Sequence, residues 1–142
     1  MQSYYKVAIH ELFHVLGFSN ANYGDFIDSK GTTIPIEKTI SYYSNKRGAI
    51  SLGLISPNVV AFGKKYFGCE SLNIIPLEND GDKSSAGSHF ERAIFFNEVM
   101  TASEIKDAVF SGFSFSVLKD SGWYGINELF VEELQAGKDM GC

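Results

Sequence analysis

One five-residue run, His10-Glu11-Leu12-Phe13-His14, constrains this chain more than any other part of its sequence. Residues four apart lie one above the other on an α-helix, so the two histidines reach a single metal ion if the run is helical. Glu11 lies beside them and can hold and deprotonate a metal-bound water without occupying a coordination site. The HExxH spacing therefore predicts a helix that carries a metal site.

The residues around this run have the pattern of an amphipathic helix. Ile9, Leu12, Phe13 and Leu16 fall at i, i+3, i+4 and i+7, which places them in one apolar stripe. Gly17 follows the last apolar residue and is a typical helix stop. A chance HExxH match in an ordinary amphipathic helix is the alternative, but this pattern favours the metal site.

The identity of the third metal ligand is less direct. A catalytic zinc ion needs three protein ligands and one open position for water. In the extended motif HExxHxxGxxH, Gly17 matches the glycine, but Asn20 stands where the third histidine belongs, and asparagine is a poor zinc ligand. The remaining histidine, His89, must complete the site if three histidines bind the metal. Taken alone, it is more typical of a surface loop.

Several further motifs follow one another in a specific order. They are HExxHxxGF at 10–18, GSHFE at 87–91, EVMT at 98–101 and LKDSGWY at 118–124. Together they resemble the leishmanolysin family of zinc metalloproteases, which belongs to the metzincin clan. The resemblance extends from about Val7 to the last residue and is far more specific than HExxH alone. It assigns the chain to the C-terminal part of the catalytic region.

The resemblance implies a role for each site residue. His10, His14 and His89 match the ligands of one Zn²⁺ ion per chain. Glu11 matches the general base that activates the zinc-bound water. Met100 matches the Met-turn, a structural turn whose thioether lies under the histidines without binding the metal.

Other residues of the motifs have an alternative interpretation. A glutamate such as Glu98 is the third ligand in a different class of HExxH enzymes, but Gly17 and the Met-turn favour the three-histidine arrangement. Asp120 and Trp123 match the family motif, and we interpret them as structural rather than catalytic.

The function that the resemblance implies is that of a zinc-dependent endopeptidase. Such an enzyme hydrolyses protein or peptide substrates through a zinc-bound water that Glu11 activates. The alternative is a catalytically inactive fragment or remnant that binds zinc or a protein partner. The intact Glu11 favours the enzyme. The sheet and helix that metzincin domains place before the active-site helix are missing from this sequence, which favours the remnant and indicates a truncated protease.

The predicted fold class is α+β, zincin- or metzincin-like and truncated. Residues 1–20 form the active-site helix and its exit, at the end of an N-terminal catalytic subdomain. Residues 21–86 form an inserted mixed region. Residues 87–142 form a mostly helical and irregular C-terminal catalytic subdomain with the third zinc ligand and the Met-turn.

Three further helices are predicted from local signals. The first spans 57–67, with Ser56 as its N-cap and Pro57 in its first turn. The others lie near 113–120 and 127–135. The second of these is acidic, which favours a packing helix over a membrane-surface helix.

Composition and cysteines set the remaining expectations. The net charge of −5 argues against a nucleic-acid partner, and no run approaches the ~18 apolar residues of a membrane span. No signal peptide or lipid anchor is visible. The resemblance implies an extracellular or cell-surface protein, attached through regions absent from this sequence. It also assigns Cys69 and Cys142 to a disulfide framework whose other members lie in missing regions, unless the two are unpaired.

Overall fold

The computed structural model describes residues 2–45, 48–80, 86–103 and 106–142. Helices and a small antiparallel sheet make up these residues, in keeping with the predicted α+β class. The helices are α1 (Gln2–Val15), α2 (Pro57–Phe67), α3 (Arg92–Phe95) and α4 (Gly112–Asp120), with 3₁₀ turns at Ile36–Lys38 and Glu128–Phe130. The strands are β1 (Ile40–Ser44), β2 (Ile50–Leu54) and β3 (Ile75–Pro76).

The three strands form one antiparallel sheet in the order β1-β2-β3. Beyond β3 the pairing continues through single residues. Phe90 pairs with Leu77 on one side and with Thr101 on the other. Because of this extension, the segments around His89 and Met100 run side by side at the edge of the sheet.

Helix α1 lies with one side against the core. Phe13 is buried, and Ile9 and Leu16 are partly buried, as the predicted stripe requires. Leu12 differs, because 54% of its surface is exposed. Together with Leu12, the large apolar side chains of α1 that are exposed to solvent are Tyr4, Tyr5 and Val15.

Aromatic rings form the centre of the core. Phe113 of α4 packs edge-to-face against Phe62 and Phe95, with 4.8 Å between ring centroids in each pair. Helices α2 and α4 approach closely because Gly112 has no side chain: a Cβ there would lie 2.3 Å from the Phe62 ring. The same buried cluster includes Phe18 and Leu54, so all three predicted stretches of the chain contribute to it.

Helix α2 has the predicted bounds but not the predicted cap. Ser56 makes no side-chain capping hydrogen bond. Asp120 does this instead: its carboxylate accepts hydrogen bonds from the backbone N–H groups of Asn58 (2.8 Å) and Val59 (2.9 Å). A charged acceptor at the positive end of the helix is a stronger partner than a hydroxyl. Asp120 is therefore structural, as predicted.

The predicted helix at 127–135 is wrong. Only the 3₁₀ turn Glu128–Phe130 forms there. After the turn, the backbone N–H of Glu132 donates to the Phe110 carbonyl at 2.8 Å, and the Tyr66 hydroxyl donates to the Leu134 carbonyl at 2.9 Å. These contacts hold the segment in an extended form, so tertiary pairing overrides the local helical pattern.

The cysteines form a disulfide, as the resemblance implies, but the expectation for their partners is wrong. Cys69 and Cys142 are joined to each other by a disulfide across 73 residues of sequence. Each is therefore the other's partner, and neither is unpaired. The bond ties the end of the chain to the turn after α2. Among the described residues, no helix combines the length and apolar character needed to cross a bilayer.

Candidate metal centre

The structure brings the three histidines together. The Nε2 atoms of His10 and His14 are 3.0 Å apart, and each lies 3.2 Å from the Nε2 atom of His89. In the part of the chain that the structure describes, these three residues form the one group of side chains that could hold a metal ion. The three ligands predicted from the sequence thus converge on one point.

Two elements position these side chains. His10 and His14 lie on successive turns of α1, with their rings nearly perpendicular. His89 comes from the extended segment that continues the sheet, where its carbonyl accepts a hydrogen bond from the Glu78 N–H at 2.9 Å. The Ser88 hydroxyl, next to it, accepts from the Asn20 N–H at 3.1 Å. The exit of α1 and the His89 segment are therefore held together directly.

Backbone carbonyls orient two of the rings. His10 Nδ1 lies 2.6 Å from the Val99 carbonyl oxygen, and His14 Nδ1 lies 2.7 Å from that of Phe18. A carbonyl only accepts, so each Nδ1 carries the proton and each Nε2 presents a lone pair. Gly17 makes the second contact possible, because its φ of +126° turns the chain back toward the helix. The prediction that this glycine ends the helix is confirmed.

These contacts make the centre fit a cation. In their neutral form, His10 and His14 both present an Nε2 lone pair toward the same point, and His89 Nε2 lies beside them. A positive ion at that point would be bound favourably. Nitrogens bound to one tetrahedral zinc at about 2.0–2.1 Å lie about 3.3 Å apart, close to the spacing seen here. Burial lowers the pKa of His14, which favours the neutral ring that binds metal.

Glu11 lies at the mouth of the centre. It is exposed on α1 and borders the same cleft of about 120 Å³ as His10 and His89. Val99 and Thr101 line the same cleft. A carboxylate in this position can reach a water molecule in the cleft without itself being a ligand.

Met100 and Glu98 flank Val99, whose carbonyl oxygen lies 2.6 Å from His10 Nδ1. Met100 is fully buried, and its carbonyl accepts a hydrogen bond from the Phe90 N–H at 2.8 Å. The Glu98 carboxylate is also buried and accepts hydrogen bonds from the hydroxyls of Ser111 (2.8 Å) and Ser114 (2.6 Å) at α4. It is thus engaged with α4 and does not belong to the histidine cluster. Desolvation raises its pKa to about 7.

Sequence reasoning missed two features of the centre, the carbonyl contacts of the histidines and the role of Glu98. The carbonyls of Val99 and Phe18 carry no residue-specific signal, because every residue has one. The role of Glu98 was missed because its partners lie 13 and 16 residues further along the chain. Trp123 was predicted to be structural, and its ring lies against Gly17, where an added Cβ would be 2.9 Å away.

An HExxH helix with a third histidine brought to it from elsewhere in the chain is an arrangement typical of zinc metallopeptidases. The leishmanolysin family model, Peptidase M8, matches residues 1–142. The chain belongs to the leishmanolysin family of zinc metallopeptidases.

Curated relatives agree with this assignment. The chain is 29% identical over 161 residues to a leishmanolysin-like peptidase of Caenorhabditis elegans, with 94% of this chain and 24% of the relative covered. It is 32% identical over 152 residues to the ciliated left-right organizer metallopeptidase of Danio rerio (99% and 23% covered). It is 28% identical over 138 residues to leishmanolysin of Leishmania donovani (96% and 22% covered). The chain spans about a quarter of the length of these relatives.

Proposed function

We propose that this chain carries the metal centre of a zinc-dependent endopeptidase, with His10, His14 and His89 as the ligands of one Zn²⁺. The observation that supports this most strongly is the convergence of three Nε2 atoms at 3.0–3.2 Å. Two of these atoms present lone pairs, because the Nδ1 atoms of their rings donate to backbone carbonyls. These lone pairs are the groups that would hold the zinc ion.

Each residue then has a defined part in peptide hydrolysis. When bound, zinc polarises a carbonyl oxygen and lowers the pKa of water from about 15.7 to about 7. The Glu11 carboxylate accepts a proton from the attacking water and delivers it to the nitrogen of the leaving amine. Met100 acts as the buried Met-turn residue beside the histidines. We further propose that residues 1–20, 21–86 and 87–142 are the active-site helix, an insertion and the C-terminal catalytic subdomain.

The disulfide supports a location for the protein. Such bonds persist in oxidising compartments, so the Cys69–Cys142 bond favours an extracellular or cell-surface enzyme. Protein or peptide segments are the proposed substrates, in keeping with the family.

The assigned base is tested by the substitution Glu11→Gln. Hydrolysis of an unstructured protein by the zinc-loaded chain should fall about 10²–10⁴-fold, the range for losing a general acid–base group. Zinc affinity should stay unchanged, because Glu11 is not a ligand. Glu37→Gln, at an exposed glutamate in the 3₁₀ turn Ile36–Lys38, is the matched control and should cut at the parental rate.

Two results would contradict the proposal. One is hydrolysis by the Glu11→Gln chain at the parental rate, and the other is parental activity that survives a zinc chelator.

The exposed apolar side chains of α1 favour a second candidate, in which this chain binds zinc or a protein partner without hydrolysing peptides by itself. Zinc binding by the parent chain without any cutting would favour that candidate.

A further inference from the structure

We propose that Glu98 is a positioning residue of the metal centre, which acts on His10 through the peptide bond between Val99 and Met100. This inference rests on the proposed function, because it assigns Glu98 to the shell of contacts around the zinc ligands. In this arrangement the Glu98 carboxylate is hydrogen-bonded to the Val99–Met100 peptide group, and this peptide group is hydrogen-bonded to His10.

The first step is the environment of the Glu98 carboxylate. The residue is 1% exposed, and its Oε1 accepts hydrogen bonds from the hydroxyls of Ser111 and Ser114. Ser111 is also the N-cap of α4, where its hydroxyl oxygen accepts from the Phe113 N–H at 3.2 Å. The carboxylate is therefore held against the start of a core helix, and its second oxygen has a defined position.

The second step is the peptide group that this oxygen holds. Glu98 Oε2 accepts the hydrogen bond of the Met100 N–H at 2.5 Å. The carbonyl of Val99 belongs to the same planar peptide unit as this N–H, so the two groups point in opposite directions. Fixing the N–H consequently fixes the direction of the Val99 oxygen.

The third step is the histidine. The Val99 oxygen accepts from His10 Nδ1 at 2.6 Å, so the orientation of that ring depends on the peptide plane that Glu98 holds. A second backbone contact, from the Val99 N–H to the Val109 carbonyl at 2.8 Å, supports the same turn. The hydrogen bond that the carboxyl oxygen accepts from the N–H polarises the peptide and makes the Val99 oxygen a better acceptor. This strengthens the ligand nitrogen on the other side of the ring.

Two substitutions separate a hydrogen-bonding role from simple space filling. In Glu98→Gln the amide oxygen still accepts from the Met100 N–H. The amide NH₂ then donates to the serine hydroxyls, which can rotate to accept. Glu98→Met has a similar volume but offers no comparable acceptor. Asp120→Asn is the matched control: Asp120 is also a buried carboxylate with three hydrogen bonds, and it holds α2 rather than the centre.

The experiment measures the zinc affinity of the full chain by chelator competition. Zinc should bind Glu98→Met about 10–100-fold more weakly than the parent, the range for losing an outer partner of a ligand. Glu98→Gln should stay within about fivefold, and Asp120→Asn should match the parent. The ¹⁵N chemical shift of His10 Nδ1 in the zinc-loaded chain should move in Glu98→Gln but not in Asp120→Asn. This second measurement decides the question if Glu98→Met does not fold.

Several outcomes would overturn the inference. One is a zinc affinity of Glu98→Met equal to that of the parent. Another is a zinc affinity of Glu98→Gln as low as that of Glu98→Met. An unchanged His10 signal in Glu98→Gln would remove the proposed link through the peptide. If the parent chain itself bound no zinc, the proposed function would fail together with this inference, whereas the other results count against Glu98 alone.

Discussion

The metal centre and the α2–α4 pair satisfy their polar groups in different ways. Between α2 and α4, Asp120 meets N–H groups that the first turn of α2 leaves without partners, and the aromatic rings around it pack edge-to-face. At the metal centre, the Nε2 atoms of His10 and His14 converge at 3.0 Å, and the Nδ1 atom of each ring faces a backbone carbonyl. The α2–α4 pair therefore meets its polar groups with its own side chains, whereas the histidine cluster gathers ring nitrogens that a cation could bind. Changes in one region should affect metal binding, and changes in the other should affect folding.

The largest expected effect is the loss of a ligand, tested by His89→Ala. Zinc affinity should fall by more than about 10³-fold, beyond the roughly 10–100-fold expected for an outer partner. At a zinc concentration about 100 times the parental Kd, the parent should gain about 2.7 kcal/mol of stability, and the variant almost none. Thermal unfolding with and without zinc measures this gain.

Asn20→Ala is the control for the ligand prediction. Asn20 stands at the position of the third ligand in the short motif, but it lies outside the histidine cluster. The substitution keeps the backbone N–H that bonds to Ser88. If Asn20→Ala lost zinc as His89→Ala does, the assignment of the third ligand would be wrong.

The next largest effect belongs to the other region. Replacing both Cys69 and Cys142 with serine opens a cross-link that spans 73 residues. On the chain-entropy relation for loops of this length, the free energy of unfolding should fall by about 4 kcal/mol. Zinc affinity, measured well below the melting temperature, should not change. A tenfold loss of zinc affinity without a loss of stability would show that the two regions are not separate.

The smallest expected effect is a pH dependence of the free energy of unfolding. It comes from Glu98, which contacts α4 on one side and the Met100 N–H on the other. Burial raises the folded-state pKa of Glu98 to about 7 from the ordinary 4.5. Between these values the folded chain binds more protons than the unfolded chain, so this carboxyl lowers stability as the pH rises from 4.5 to 7. Glu98→Gln removes that titration. The stability of the variant relative to the parent should therefore rise across this range and level off above it.

Chemical unfolding of both metal-free chains at a series of pH values measures the difference. The lowered pKa of His14 acts in the opposite direction, but it is common to both chains and cancels. A difference that stays constant from pH 4.5 to 7 would contradict the raised pKa of the carboxyl.

The sequence predicted those parts of the molecule that local patterns determine. The HExxH helix follows from a spacing within one helix, and α2 and α4 follow from apolar residues with a helix start. His89 was different, because only the resemblance connected it with residues 75 or more positions earlier. The structure brings it to the pair, and the whole centre then lies within one small volume.

The remaining features depend on contacts between distant segments. Ser56 has the residue type of a cap, but Asp120, which is 62 positions from Asn58 in the sequence, accepts the Asn58 N–H and takes that role. The stretch 127–135 has a helical pattern, but pairing with Phe110 and Tyr66 holds it extended. In both places a partner that is distant in sequence provides a stronger interaction than the local one, and no local pattern records it.

The two carbonyl contacts of the centre have a consequence for how this site responds to mutation. The oxygens that orient His10 and His14 belong to the main chain at Val99 and Phe18. No exchange of side chain at those two positions deletes either acceptor. A side-chain substitution at Val99 or Phe18 therefore leaves in place the acceptors that orient two of the proposed metal ligands. Glu98, which fixes one of those oxygens from outside, is the position where a protein engineer could adjust zinc affinity by degrees.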